Sequence, residues 1–168
     1  LADEPHKADK SRVPEDAFCH VFEMNLDGSG RRQLTHGKYD DFDPRYLPGG
    51  DILFVSTRKG TALQCSQEYS DSTRQADLPD SYVRCGGDDY RPVPVFTLHA
   101  MDAQGRGLRP LSAFENFEWA PSVAKDGRII YTRWDYIDRF NGHFFSLWSA
   151  NQDGSNPQLV YGNYTTKP

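Results

Sequence analysis

The densest group of chemistry-bearing side chains is the string RWDYIDRFNGH, which places Arg133, Asp135, Tyr136, Asp138, Arg139 and His143 close together in the chain. Two guanidiniums at this spacing suit a carboxylate or sulfate held by paired N–H donors. Tyr136 and His143 would add a proton donor and acceptor. The same residue types also brace neighbouring elements through hydrogen bonds, and bracing is the preferred reading of this string. A second group is Cys65 and Cys85, set in a polar stretch. A disulfide closing a loop of that length would stabilise it by about 3 kcal/mol in an oxidising compartment. The rivals are metal ligation with His99, or with Cys19 and His20, and a pair of free thiols. Neither CxxC nor CxxCH occurs, so no metal centre and no cofactor are expected. Cys19, at the start of an apolar run, reads as a buried and inert thiol.

The remaining motifs point to turns. NLDGS (Asn25, Asp27) and NQDGS (Asn151, Asp153) have the look of calcium loops but lack the closing glutamate, and turn chemistry accounts for them. YDDFD groups Asp40, Asp41 and Asp43 beside a loop, where aspartates commonly cap turns. No GxSxG elbow and no phosphate-binding P-loop occurs, which disfavours serine-hydrolase and P-loop chemistry.

The elements that must position these residues come from an internal repeat. HVFEMNLDGSGRRQLTHGKYDDFDPRYLPGGDILFVSTR, from His20, aligns without a gap to VFTLHAMDAQGRGLRPLSAFENFEWAPSVAKDGRIIYTRW, from Val95. Met24 matches Met101, Gly28 matches Gly105, Leu34 matches Leu111 and Asp41 matches Glu118. Pro44 matches Pro121, and Ile52-Leu53-Phe54 matches Ile129-Ile130-Tyr131. A third copy opens at HFFSLWSANQDGSNPQLVYGN, with Gly154 in the place of Gly105. Each copy reads as an apolar strand (Val21 to Leu26, Phe144 to Ala150), a glycine hairpin turn, and a return strand. A loop, an aromatic–x–Pro element, a second glycine turn and an apolar run follow. A unit of this kind cannot bury both faces alone, so neighbours must stack against it.

The expected fold is therefore all-β: a β-propeller fragment of antiparallel four-stranded blades, about two full blades plus part of a third. The expected organisation is a polar lead-in at 1–17, a blade at 18–60, an inserted loop with Cys65 and Cys85 at 61–94, a blade at 95–142, and the start of a further blade at 143–168. Abundant aromatics (13%), 14 glycines and 11 prolines agree with many short strands and turns. A net charge of −5 argues against nucleic-acid binding. No apolar run is long enough to cross a bilayer as a helix. The opening LADEPHKADKSRVPED, without Met, reads as a polar lead-in or as the cut end of a longer chain.

The unit x-x-N-x-DGS-x-x-x-x-L-T followed by D-P-x-x-x-P-x-G-x-I-x-F-x-S-x-R resembles the TolB-like periplasmic propeller repeat, over residues 20–58, 95–133 and part of 144–163. The string GRIIYTRWDYIDRFNGHFFSLWSANQDGSNPQLVYGN, with FTLHAMDAQG and FEWAPSV before it, is similar to propeller proteins related to the hydrazine synthase alpha subunit. The resemblance implies a periplasmic or secreted scaffold. Its partners would be neighbouring blades or domains of a full-length chain, with a protein or anionic glycan as ligand. The namesake reaction depends on c-type haem, and these 168 residues hold no CxxCH. A non-catalytic scaffold or binding module is therefore the leading expectation. The alternative is part of an extracytoplasmic enzyme, either haem-dependent or a propeller polysaccharide lyase, whose pocket uses the RWDYIDR segment.

Overall fold

A computed structural model describes residues 13–58, 96–113, 117–134 and 145–162. After a short 3-10 turn at Glu15–Ala17, the chain forms β1 (Phe22–Glu23), β2 (Arg32–Gln33), β3 (Asp41–Tyr46), β4 (Ile52–Ser56) and β5 (Thr97–Met101). β6 (Arg109–Pro110), β7 (Glu118–Val123), β8 (Ile129–Trp134), β9 (Phe145–Ala150) and β10 (Gln158–Tyr161) follow. Among the described residues all pairings are antiparallel. The first sheet is the pair β1–β2, the second runs β3-β4-β5-β6, and the third runs β7-β8-β9-β10.

The sheets are phased two strands away from the copies in the sequence. β1 and β2 belong to the first sheet, whereas β3 and β4 of the same copy open the second, which β5 and β6 close. Likewise β9 and β10, expected to begin a further blade at 143–168, complete the third sheet. The partial sheet stands at the N-terminal side instead. A cyclic pattern of four strands looks the same from any starting point, so similarity between copies does not reveal which strands share hydrogen bonds. The expected boundaries at 60 and 142 were set by the long connections. Those connections join partners within a sheet, since Ser56 faces Thr97 and Trp134 faces Phe145.

β4 shows why the sheets stack. All five of its residues are buried, and alternate side chains point to opposite faces. Ile52 and Phe54 pack with Val21, Leu34 and Met101 against the first sheet. Leu53 and Val55 pack with Leu98, Leu111, Ile129, Tyr131 and Ala150 against the third. One strand thus feeds two cores, which explains its unbroken apolar run. β3 and β7 are edge strands, each carrying a proline at an irregularity in register, Pro44 and Pro121. The residues before these prolines, Asp43 and Ala120, occupy matching places in the repeat and both have positive φ, 56° and 50°.

The apolar stretch Val21 to Leu26 is only briefly a strand. Met24 and Leu26 are exposed because the chain turns at Asn25, whose carbonyl accepts from Gly28 N–H. Cys19 is exposed, contrary to the buried thiol expected. It precedes β1 and is held by its backbone, with N–H on Asp40 Oδ1 and its carbonyl accepting from Asp41 N–H.

Candidate functional site

Of the six residues singled out in RWDYIDRFNGH, Arg133 lies within the described structure, near the end of β8. Asp135, Tyr136, Asp138, Arg139 and His143 lie outside the described residues, as do Cys65 and Cys85. Arg133 sits across from Glu118 on β7 and Ser146 on β9. Its guanidinium carbon lies 3.8 Å from the centre of the Trp148 ring. This is close cation–π stacking, which fixes the plane of the side chain.

The second sheet carries the counterpart of this arrangement. Asp41, in the place of Glu118, is fully buried and accepts from Ser56 Oγ at 2.6 Å and Arg58 Nε at 3.0 Å. Arg58 Nη2 closes the pair on the other carboxylate oxygen at 2.5 Å and also reaches the His36 carbonyl. Tyr39 covers the guanidinium, 4.4 Å from ring centre to Cζ. This is a two-pronged buried ion pair that ties the loop before β3 to the end of β4. Reading the aspartates of YDDFD as turn caps missed it. The available signal was the match of Asp41 with Glu118 at the head of equivalent strands.

In the third sheet the longer Glu118 reaches further. Its carboxylate accepts from Leu98 N–H at 3.2 Å and from Ser112 Oγ at 2.7 Å. At the corresponding place in the first gap, Val21 N–H donates instead to Thr35 Oγ1. Glu118 therefore links β5, the end of β6 and β7 across the boundary between two sheets.

Beside it runs a cleft of about 680 Å³ between the second and third sheets. Leu98, Leu111, Ile129, Tyr131, Ala150 and Glu118, all buried, form its floor. The exposed Ala113, Asp153, Ser155 and Pro157 surround its mouth, and Ser112 and Arg133 stand between. Sequence reasoning reached Arg133 but not this cleft, which appears only when copies are compared across the sheet boundary.

The DGS turns are hydrogen-bonded turns. Asp27 Oδ1 accepts from both the hydroxyl and the N–H of Ser29, and Asp153 does the same with Ser155. These bonds hold both carboxyls below the usual aspartate range. In the middle copy Asp102 takes over, bonded by the N–H groups of Arg106 and Gln104 and by the Arg106 side chain. His99, considered as a metal ligand, is buried with Nδ1 3.0 Å from the Thr97 carbonyl.

Four-stranded antiparallel sheets that repeat along the chain and stack face to face through shared cores define blades of a β-propeller. No family model matches the chain, and no curated protein matches it. Among solved structures it is similar to Kuenenia stuttgartiensis hydrazine synthase, with TM-score 0.60 and 18% identity over 87% of this chain and 22% of that one. It is also similar to TolB from Agrobacterium tumefaciens, with TM-score 0.55 and 16% identity over 84% of this chain and 40% of that one. At this identity the likeness is one of fold. The chain thus spans well under half the length of either. Among the described residues, no helix is long and apolar enough to cross a membrane.

Proposed function

We propose that this chain is a non-catalytic β-propeller module of a periplasmic or secreted protein, a rigid platform with further blades or domains stacked on its two end faces. The observation that carries this reading is a repeated contact. The hairpin glycine of one sheet packs on a leucine carbonyl of the sheet before it: Gly105 on Leu34 and Gly154 on Leu111. A Cβ placed on Gly28, the same glycine of the first sheet, would meet nothing within 4 Å among the described residues, and Phe22 and Met24 beside it are exposed. At the other end, Phe145, Leu147 and Tyr161 are exposed on the third sheet. Unpartnered faces of this kind mark an interaction surface. The extracytoplasmic setting rests on the likeness of the repeats to TolB. The scaffold role rests on the Asp41–Arg58 pair, a brace at the place in the second sheet that matches Glu118 beside Arg133.

Replacing Arg133 and His143 by alanine tests the platform reading. Lost folding, seen as a lowered melting temperature, supports a bracing role. Lost binding or turnover with unchanged melting overturns it and favours an enzyme.

A further inference from the structure

We infer that the free edge of β1 is a docking site for a β-hairpin of the β3–β4 kind. On the platform reading above, on which this rests, a further copy of the repeat in a longer polypeptide supplies it. β1 and β2 correspond to β5 and β6, and to β9 and β10. In the second and third sheets a hairpin of the preceding copy, β3–β4 or β7–β8, pairs alongside the strand equivalent to β1. Among the described residues no strand pairs with that side of β1. β1 is two residues long, whereas β5 and β9, each paired on both sides, have five and six.

Backbone direction fixes the register. The Val21 carbonyl accepts from Leu34 N–H, and successive residues of an antiparallel strand turn their N–H and C=O to opposite sides. Val21 and Glu23 therefore serve β2, and Phe22 and Met24 direct their backbone groups to the open side. In the second sheet Leu98, the counterpart of Val21, accepts from Leu111 N–H, and His99 and Met101 face Phe54 and Ile52 of β4. The same register sets the counterpart of Phe54 opposite Phe22, and that of Ile52 opposite Met24. The counterpart of Leu53 then turns toward the second sheet and meets Ile52, just as Leu53 and Ile129 share a core. A cleft of about 90 Å³ lies there, lined by Val21, Phe22, Pro44, Tyr46 and Ile52. The strand that fits is an uncharged apolar run behind a proline-bearing edge strand. The chain carries that pattern twice, as Ile-Leu-Phe-Val after Pro44 and Ile-Ile-Tyr-Thr after Pro121.

The test joins a hairpin with the sequence of residues 38–58 ahead of the full chain. A flexible Gly/Ser linker of about 20 residues keeps it near the edge. Amide exchange at Phe22 and Met24 should slow by about tenfold or more relative to the chain alone. Met24→Pro removes one N–H on the open side and leaves the bonds to β2, so it should cancel the slowing at Phe22. Should that variant fail to fold, Ile52→Pro in the added hairpin alone gives the same test from the other strand. Unchanged exchange at Phe22 and Met24 overturns the proposal. So does slow exchange already present in the chain alone, which puts another of its segments on this edge. A raised melting temperature without slowed exchange at these two residues describes stacking on an end face. That result removes the docking edge and leaves the platform reading intact, which the Arg133 and His143 variants test separately.

Discussion

The backbone carbonyl of Leu111 occupies the space that a Cβ on Gly154 would need. Gly105 stands in the same relation to Leu34, whose carbonyl would lie 2.6 Å from such a Cβ. Gly28 has the same positive φ, 82° against 80° and 82°, but a Cβ there would meet no neighbour among the described residues. All three share the conformational demand for glycine, and among the described residues two of them meet a neighbouring sheet. Gly28→Ala should therefore cost only the left-handed backbone penalty, about 1–2 kcal/mol. Gly105→Ala and Gly154→Ala should cost about 1–3 kcal/mol more, because a backbone atom has to move. Urea denaturation midpoints of the three variants separate these terms. Equal losses would remove the close approach as the reason for the glycine.

The pair Asp41–Arg58 should behave as a buried ion pair. The Asp41 side chain is 0% exposed and that of Arg58 15%. Arg58→Ala strands a buried carboxylate that, among the described residues, keeps the Ser56 hydroxyl, and should destabilise by about 3–5 kcal/mol. Asp41→Asn keeps the volume and leaves Arg58 an outlet toward solvent, so its cost should be smaller. Thermal melts of the two variants decide the order. If Arg58→Ala is the milder change, the pair is not what holds this corner.

Much of this architecture was legible in the sequence. The glycine turns, the aromatic–x–Pro edge strands and the apolar runs were all readable, because each follows from local backbone chemistry. The phase of the sheets was not, since hydrogen bonding between β4 and β5 is decided across a connection of some 40 residues and leaves no periodic trace. Met24 and Leu26 look like core in the pattern but lie on a turn. Arg133 stood out in its polar string. Its setting against Glu118 and Trp148 comes from three different strands.

Ala120 should be a site of stored backbone strain. It has a φ of 50° and precedes Pro121, at the irregularity in the pairing of β7 with β8. A left-handed alanine costs about 1–2 kcal/mol, while glycine loses about 0.5–1 kcal/mol more chain entropy on folding. Ala120→Gly should therefore be neutral to mildly stabilising, unlike a glycine placed in any ordinary strand. Asp43, its counterpart, also pairs with Arg45 at 2.7 Å, so Asp43→Gly should lose part of that gain. Denaturation curves for the two variants check the difference. A clear loss for Ala120→Gly would argue that the side chain matters here more than the dihedral.

Acid should loosen the turns in a defined direction. The carboxyls of Asp27, Asp102 and Asp153 are all held below their usual range by hydrogen bonds to the ionised form. A depressed folded value means that the contribution is fully present above the unfolded value and is lost as pH falls through the folded one. Glu15, held low by the Gly37 N–H and by His20 and His36, and Glu23, held low by Tyr46 and Arg32, act the same way. Stability should stay flat at neutral pH and drop below the usual carboxylate range. In the double variant Asp27→Asn with Asp153→Asn the drop should be shallower. An unchanged acid limb would assign the acid sensitivity to other groups.

Leu53 and Ile130 hold the same place in consecutive sheets and face the same direction around the stack. Leu53 is 0% exposed because the third sheet covers it, whereas Ile130 is only half-buried on the uncovered side of β8. Truncation should therefore read out coverage. Leu53→Ala should cost about 2–5 kcal/mol, as a cavity between packed sheets does. Ile130→Ala in this chain should cost clearly less, since water already reaches the side chain and no lining collapses around a void. In a polypeptide that carries a further blade against the third sheet, the cost of Ile130→Ala should rise to match that of Leu53→Ala. Amide exchange along β8 should slow in parallel, because protection follows burial. A cost for Ile130→Ala that stays small in the longer protein would mean that this face remains open, and that the stack ends at β10.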